Sequence, residues 1–256
     1  MSFHGYPCWF ELSTGDLDAA KGFYEALFGW MIGPSVMPDF DYRLAASGKE
    51  MVAGMMPLSM LPPGTPPNWM IYIAVDDCDE TAAQTAALGG TVLKEPADIP
   101  GTGRFAVLLD PQGACFGILQ PAPMENPPEG GAFDQQKSGH GNWIELMTGD
   151  PKAALGFYGM LFGWVEDAAM PMGEMGSYHI FSRAGAQIGG MMGLGTAPYP
   201  NWLPYFGVDD IPATIDTAEA RGATLVHGPA EVPGPALIVV FRDPQGAHFA
   251  VVGPKP

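Results

Sequence analysis

The sequence has few basic residues, few cysteines and no long apolar run. Its 256 residues include 11 Lys and Arg against 28 Asp and Glu, which gives a formal net charge of −17. This balance repels phosphate backbones and anionic lipid, so we expect no nucleic acid and no membrane surface as a partner. Cys8, Cys78 and Cys115 lack metal-ligand spacing, and an odd number argues against a disulfide framework. Because neither a membrane span nor a signal peptide is recognisable, we expect a cytoplasmic protein.

The chain is a tandem repeat. Trp9–Trp30 reads WFELSTGDLDAAKGFYEALFGW, and Trp143–Trp164 reads WIELMTGDPKAALGFYGMLFGW. Three later motifs also occur twice, namely PNW at 67–69 and 200–202, VDD at 75–77 and 208–210, and DPQGA at 110–114 and 243–247. Such self-similarity defines the architecture. Each copy has about 125 residues, which is enough to bury a core of its own.

Each copy is predicted to contain two βαβββ modules. In the first module a strand at 7–13 precedes a helix with Leu17, Ala20 and Tyr24 on one face, and three short strands follow. The same order begins again near Met70. We predict a first domain at 1–122, with modules at about 5–60 and 66–122, a Pro- and Gly-rich linker at 123–139, and a second domain at 140–256, with modules at about 140–194 and 199–256.

The βαβββ duplication, the helix that ends in FYxxLFGW and the closing DPxG strand resemble the vicinal-oxygen-chelate superfamily. This group includes glyoxalase I, extradiol dioxygenases and bleomycin resistance proteins, and the tandem arrangement resembles its glyoxalase-like branch. The resemblance covers nearly the whole chain except the linker. It implies an α+β fold with two tandem domains, each a pair of βαβββ modules that form a cup-shaped half-barrel.

Enzymes of that superfamily hold a divalent metal in the cup through His, Gln or Glu. The positions that match those ligands carry other residue types, namely Trp9, Met70 and Gly117 in the first copy and Trp143, Leu203 and Ala250 in the second. A divalent cation needs about three nitrogen or oxygen ligands. We therefore predict that neither cup holds a metal, and we predict no cofactor.

The same positions indicate which side chains face the cups, because alternate residues of a strand share a face. The predicted ligand-binding residues are Trp9, Glu11, Asn68 and Tyr72 in the first copy and Trp143, Glu145, Asn201 and Tyr205 in the second. Each Trp is either a stacking platform for a flat ligand or a plug in the metal position. Each Glu is either a general base or polar anchor with a raised pKa, or a structural carboxylate bonded to Tyr and Asn.

Two further residues are candidates in one copy only. His248 lies on the closing strand of the second copy, and it is either part of an acid–base dyad with Glu145 or a hydrogen-bonded filler. Glu11, Glu145 and His248 are thus the catalytic candidates. Arg104 binds an anionic ligand if it points into the first cup, and it is otherwise a surface residue.

Three functions remain open. The first is a metal-free protein that binds a small, flat, partly apolar molecule in one or both cups, as the bleomycin-binding relatives do. The second is a lyase, isomerase or hydroxylase-like enzyme that uses a cup Glu as base. The third is a structural or interaction protein whose cups are filled by their own side chains. In each case we expect either a monomer of two domains or a homodimer.

Overall fold

The computed structural model describes residues 3–35, 40–123, 130–173 and 176–255. Across these ranges the order βαβββ occurs four times, which confirms the predicted α+β fold built from such modules. Strands β1–β8 form one eight-stranded sheet and strands β9–β16 form the other, as expected for the α+β class. Among the described helices, none has the length and apolar character needed to cross a membrane.

The first copy contains β1–β8, α1 and α2. The first module comprises β1 Pro7–Thr14, α1 Leu17–Phe28, β2 Met31–Pro34, β3 Arg43–Ser47 and β4 Glu50–Pro57. The second module comprises β5 Asn68–Ala74, α2 Cys78–Ala87, β6 Thr91–Ile99, β7 Gly103–Leu109 and β8 Cys115–Pro121. In each module the first strand pairs in parallel with the last, and the remaining pairs are antiparallel.

The second copy repeats this arrangement. Its first module comprises β9 Gly141–Thr148, α3 Pro151–Phe162, β10 Val165–Pro171, β11 Ser177–Arg183 and β12 Ala186–Gly193. Its second module comprises β13 Asn201–Gly207, α4 Ile211–Ala220, β14 Thr224–Glu231, β15 Ala236–Arg242 and β16 His248–Pro254. The parallel and antiparallel pairs match those of the first copy.

An aspartate begins each of the helices α1–α4. Asp16 accepts a hydrogen bond from the Ala19 backbone N–H at 2.9 Å, and Asp150, Asp77 and Asp210 cap their helices in the same way. Such side chains satisfy N–H groups that have no partner inside the helix. The αL conformation of Gly29 (φ 67°) ends α1, and that of Gly163 ends α3. The repeated Gly-Asp and Val-Asp-Asp motifs are thus helix start signals.

Strand β6 is longer than its sequence indicates. The pattern predicts a strand at 91–94, whereas the structure continues it to Ile99 through Pro96. Pairing with β7 shifts register between Lys94 and Ala97, so the proline lies at an irregularity of the ladder. Strand β6 is the last strand of its sheet, and an edge strand tolerates a residue that lacks an N–H.

The chain divides into two compact units. Each unit combines one module of the first copy with one module of the second copy. Unit 1 consists of Met1–Cys8, Ile71–Pro127 and Trp143–Leu203. Unit 2 consists of Trp9–Met70, Pro128–Asn142 and Pro204–Pro256. The repeat in the sequence therefore does not coincide with the compact units of the fold.

A buried aromatic cluster forms the core of unit 2. The ring of Tyr24 on α1 lies 5.3 Å from Trp69 and 5.5 Å from Phe249, in edge-to-face arrangements. Trp69 Nε1 donates to the Tyr24 hydroxyl at 2.9 Å, and that hydroxyl donates to Asp243 Oδ2 at 2.9 Å. Asp243 opens the DPQG turn of the second copy, so the helix of one copy is bonded to the turn of the other.

Unit 1 contains the equivalent cluster, in which the helix belongs to the second copy and the DPQG turn belongs to the first. Tyr158 on α3 lies 5.3 Å from Trp202 and 5.4 Å from Phe116. Trp202 Nε1 donates to the Tyr158 hydroxyl at 3.1 Å, which donates to Asp110 Oδ2 at 3.0 Å. Trp69 and Trp202 are therefore core residues that pack toward the helices. Strand alternation predicts this, because the adjacent Asn68 and Asn201 are expected to face the cups.

Residues 130–142, named here the connecting segment, belong to unit 2. This segment overlaps the predicted linker at 123–139, of which residues 124–129 lie outside the described part of the chain. Gly139 N–H donates to Gly207 O at 2.8 Å, and Trp30 Nε1 donates to Gly139 O at 2.8 Å. The buried His140 ring contacts Glu50 Oε2 at 2.9 Å, and Lys137 Nζ donates to both Glu50 oxygens at 2.8 Å. The segment is thus part of the folded unit.

We expect Glu50→Gln to lower the melting temperature by roughly 2–4 °C at neutral pH, since it removes a carboxylate that holds the connecting segment. The hydrogen bond from Lys137, and after it that from His140, lowers the pKa of Glu50 from its ordinary value of 4.5, while burial opposes this. A carboxyl group whose pKa is lowered by folding stabilises the fold at pH values above its ordinary pKa. This stabilisation is lost as the pH falls through the lowered pKa. The difference between variant and wild type should therefore shrink below about pH 4 in thermal scans. The exposed Glu95→Gln is the control, and equal melting curves for Glu50→Gln at neutral pH would contradict the prediction.

Candidate functional site

Trp9, Tyr42 and Glu11 form a hydrogen-bonded chain in unit 2. The Trp9 indole Nε1 donates to the Tyr42 hydroxyl at 3.1 Å, and the Tyr42 hydroxyl donates to Glu11 Oε2 at 2.7 Å. Glu11 and Tyr42 are buried, whereas the Trp9 ring is partly exposed. The indole is therefore held by its N–H edge while part of its surface stays accessible.

Unit 1 contains the equivalent chain of Trp143, Tyr178 and Glu145. Trp143 Nε1 donates to the Tyr178 hydroxyl at 2.9 Å, and that hydroxyl is hydrogen-bonded to the Glu145 side chain. Glu145 is 8% exposed, the same as Glu11, and Trp143 is partly exposed like Trp9. We call these two groups the Trp–Tyr–Glu clusters.

A glycine opposite each glutamate leaves room for the tyrosine. Gly54 is the β4 neighbour of Glu11, and Gly190 is the β12 neighbour of Glu145. A Cβ atom on Gly54 would overlap the Tyr42 hydroxyl, and one on Gly190 would overlap the Tyr178 ring. Both glycines therefore belong to the clusters, because any larger residue at these positions would displace the tyrosine.

Tyr42 and Tyr178 are site residues that are not among the predicted ones. Both precede or open a strand at matching places of the repeat, DYRLAAS and SYHIFSR, so the repetition is the signal that identifies them. Burial, and after it the neighbouring Glu11 carboxylate, raises the pKa of Tyr42 well above 10, and Glu145 has the same effect on Tyr178. Each hydroxyl therefore remains protonated at neutral pH and acts as a donor to its glutamate.

Two pairs of predicted ligand-binding residues have local structural contacts. Asn68 Nδ2 donates to Pro66 O at 2.9 Å, and Asn201 Nδ2 donates to Tyr199 O at 2.9 Å. Each amide thereby binds the turn that precedes its own strand. Tyr72 and Tyr205 are both buried, and they pair in register with Gly117 and Ala250, respectively.

Arg104 is partly exposed, and His248 is exposed. The Arg104 guanidinium pairs with Asp79 at 2.6 Å and with Asp98 at 2.9 Å, so its donors bind carboxylates of unit 1. His248 is exposed at the start of β16, where it pairs in register with Arg242. Partial burial, and after it the charge of Arg242, lowers the pKa of His248 from 6.5, which favours the neutral imidazole.

The residues at the superfamily's metal positions do not suit a divalent cation. An indole N–H such as that of Trp9 is a donor only, and it is bonded to Tyr42. Gly117 has no side chain, and the ring of Tyr72 occupies the space where its Cβ would lie. Over the described ranges, no group of three or more His, Cys, Asp or Glu side chains is arranged to hold a metal ion.

Two open surface grooves lie away from the clusters. One, of about 400 Å³, is in unit 2 between the end of α1 and strands β2 and β3, beside Met31 and Met51. The other, of about 520 Å³, is in unit 1 along α3, beside Met160 and Val165. Neither groove is lined by a residue of a Trp–Tyr–Glu cluster.

Comparison with known proteins identifies the family. Residues 9–119 match the family described as "Glyoxalase-like domain", and residues 141–251 match "Glyoxalase/Bleomycin resistance protein/Dioxygenase superfamily". A protein described as "Putative glyoxylase CFP32" in Mycobacterium bovis and Mycobacterium tuberculosis is 36% identical over 256 residues, which cover 98% of this chain and 96% of that protein. The chain belongs to the glyoxalase/bleomycin resistance protein/dioxygenase superfamily. The resemblance inferred from the repeat is thus confirmed.

Other members of the superfamily match along nearly the whole chain. Anthracycline biosynthesis protein DauV from Streptomyces sp. (strain C5) is 32% identical over 267 residues, which cover 97% of this chain and 93% of DauV. Among solved structures, the 2,3-dioxygenase LapB from Pseudomonas sp. KL28 has a TM-score of 0.69 at 14% identity, covering 100% of this chain and 94% of LapB. The Mn(II)-bound glyoxalase from Novosphingobium aromaticivorans has a TM-score of 0.65 at 15% identity, covering 99% and 83%. These two structures show the shared fold.

Proposed function

We propose that this superfamily member binds a small, flat, partly apolar molecule at one or both Trp–Tyr–Glu clusters, without a divalent metal. The observation that carries the proposal is the repetition of the cluster in both copies with the same donors, acceptor and burial. A cytoplasmic location is part of the same proposal, consistent with three free thiols.

The cluster supplies two kinds of contact to such a molecule. The partly exposed indole of Trp9 offers a flat apolar surface, and its orientation is set by the hydrogen bond to Tyr42. The buried Glu11 carboxylate is a polar anchor close to that surface, and a carboxylate accepts several hydrogen bonds. A few placed polar groups in an apolar surrounding are typical of small-molecule sites.

The relatives and the net charge narrow the class of ligand. DauV is named for anthracycline biosynthesis, and an anthracycline skeleton is a flat system of fused rings. The similarity of this chain to DauV therefore favours a polycyclic aromatic ligand. The net charge of −17 favours a neutral or cationic molecule over an anion.

An enzyme is the second candidate, favoured by the burial of a carboxylate beside a tyrosine hydroxyl. Glu11 or Glu145 would act as the base of a lyase, isomerase or hydroxylase-like reaction, and the tyrosine would steady the carboxylate. The relatives' names, glyoxylase and biosynthesis protein, are consistent with catalysis. A structural or interaction role with filled cups is the remaining alternative.

We expect 1-hydroxyanthraquinone, used as a probe, to bind the wild-type protein and quench tryptophan fluorescence. Trp9→Ala and Trp143→Ala should each remove one binding site or weaken it by about tenfold, since stacking on an aromatic ring contributes about 1–3 kcal/mol per flat ring system. Titration calorimetry measures both affinity and stoichiometry. Tyr199→Ala, which changes an exposed aromatic residue 54% accessible to solvent, is the matched control.

The same preparations separate the candidate functions. Unchanged binding in the Trp9→Ala/Trp143→Ala double variant would overturn the proposed site, and stoichiometric metal in native mass spectra would overturn the metal-free state. If wild type converts the probe and Glu11→Gln or Glu145→Gln does not, the site is catalytic. If the glutamine variants bind and no form converts the probe, the site is a binding site.

A further inference from the structure

The strand faces that carry the two clusters have the same residue types at four equivalent places. The face in unit 2 and the face in unit 1 share a tryptophan, a glutamate, a glycine and a methionine at equivalent places. Those residues are Trp9, Glu11, Gly54 and Met56 in unit 2, and Trp143, Glu145, Gly190 and Met192 in unit 1. Two residues beyond each glutamate the faces differ, with Ser13 in unit 2 and Met147 in unit 1.

Strand register places the differing residue next to the shared methionine. Ser13 on β1 pairs with Met56 on β4, and Met147 on β9 pairs with Met192 on β12. Each lies two residues beyond the cluster glutamate, so it shares that side chain's face. The position is therefore the immediate neighbour of the glutamate in both units.

The exposure of the two side chains also differs. Ser13 is 2% exposed, whereas its strand neighbour Met56 is partly exposed. Met147 and Met192 are both partly exposed, so two thioether side chains lie beside Glu145. Methionine is flexible and polarizable, and its sulfur makes favourable contacts with aromatic rings.

We propose that position 13/147 sets the ligand preference of each site. The site around Glu145 takes the more apolar flat molecule, and the site around Glu11 tolerates a polar substituent at that end. This inference rests on the proposed function, and it assigns different ligand classes to two sites that share the tryptophan, the tyrosine and the glutamate. Divergence at a single position alters specificity without altering the stacking surface or the anchor.

A matched pair of probes tests the inference, namely 2-methylanthraquinone and 2-(hydroxymethyl)anthraquinone. Trp143→Ala leaves the first site for measurement, and Trp9→Ala leaves the second. We expect the second site to prefer the methyl probe about fivefold more strongly than the first does, because an apolar surface disfavours an added hydroxyl only modestly. Calorimetry gives the ratio of the two dissociation constants at each site.

Variants that exchange the residues at positions 13 and 147 should also exchange the preferences of the two sites for the methyl probe. Met147→Ser in the Trp9→Ala background should reduce the methyl preference to that of the first site, and Ser13→Met in the Trp143→Ala background should raise it. Met147 is partly exposed, so its replacement is tolerated even if Ser13→Met overpacks the buried position. Met60→Ser, which changes an exposed methionine outside both faces, is the control.

The outcomes distinguish the two levels of the proposal. Equal probe ratios at both sites, or ratios that Met147→Ser leaves unchanged, would overturn the inference while the binding function stands. Absence of binding by either probe in the wild-type protein would overturn the proposed function itself.

Discussion

Gly54→Ala is expected to destabilise the protein by about 3 kcal/mol, because its new Cβ would occupy the space of the Tyr42 hydroxyl. Tyr42 must then turn away, and both its hydrogen bond to Glu11 and the one it receives from Trp9 are lost. In a chain of this length, such a loss lowers the melting temperature by roughly 6–12 °C. Thermal scans measure the stability, and binding of 1-hydroxyanthraquinone reports on the orientation of the indole.

The control for this substitution is Gly22→Ala. Gly22 is an exposed residue of α1, and a Cβ there meets no atom within 4 Å. Alanine is the better helix former by about 1 kcal/mol, so this variant should be slightly more stable than wild type. If Gly54→Ala has the same melting temperature as Gly22→Ala and the wild-type affinity for the probe, Tyr42 does not organise the cluster.

Asp243→Ala is expected to cost about 3–5 kcal/mol, since it removes the acceptor for four donors in a buried place. Asp243 Oδ1 accepts from the backbone N–H groups of Gln245, Gly246 and Ala247 at 2.7–2.9 Å, and Oδ2 accepts from Tyr24. The truncation leaves the Tyr24 hydroxyl and the turn amides without this partner. The melting temperature should fall by roughly 6–20 °C.

Two further variants identify the cause of this loss. Asp243→Asn keeps an oxygen acceptor for the turn amides and should recover part of the stability. Burial raises the pKa of Asp243 although the hydrogen bonds oppose it, so loss of the charge alone should be tolerated. Asp216→Ala changes an exposed aspartate of α4 and should melt like wild type. An Asp243→Ala protein as stable as this control would show that the turn does not need its carboxylate.

Local signals explain why most of the fold is predictable from the sequence. Helix α1 begins at an aspartate and ends at a glycine, and α3 repeats both signals with Pro151 at its first position. Strand alternation correctly places Trp69 and Trp202 in the core. Strand β6 extends beyond its prediction because proline is tolerated at the edge of a sheet, which local composition does not reveal.

The contacts that are missed depend on register and on distant partners. Tyr42 reaches Glu11 because β3 pairs with β4 in one register and Gly54 leaves the space, and neither condition is visible in the strand itself. Gly139 lies within the Pro- and Gly-rich stretch, and its contact with Trp30 joins residues 109 positions apart, which composition does not reveal. The Trp and Glu of each cluster are recognisable because they recur in both copies.

The pairing of modules is the other feature that the sequence leaves open. Asp110 and Asp243 both open a DPQG motif and offer the same carboxylate acceptor. The local sequence therefore does not determine that Tyr24 binds Asp243. Tyr24 binds Asp243 and Tyr158 binds Asp110, and the repeated motifs around these residues are too similar to distinguish this pairing from the alternative.

The composition of unit 2 has a consequence for the origin of the chain. A half-length polypeptide that ends before the connecting segment would keep Tyr24 and Trp69 but lose the carboxylate and Phe249 that complete their surroundings. Two such polypeptides would have to exchange partners to regain them. Gene fusion turns that intermolecular association into an intramolecular one, so assembly no longer depends on protein concentration.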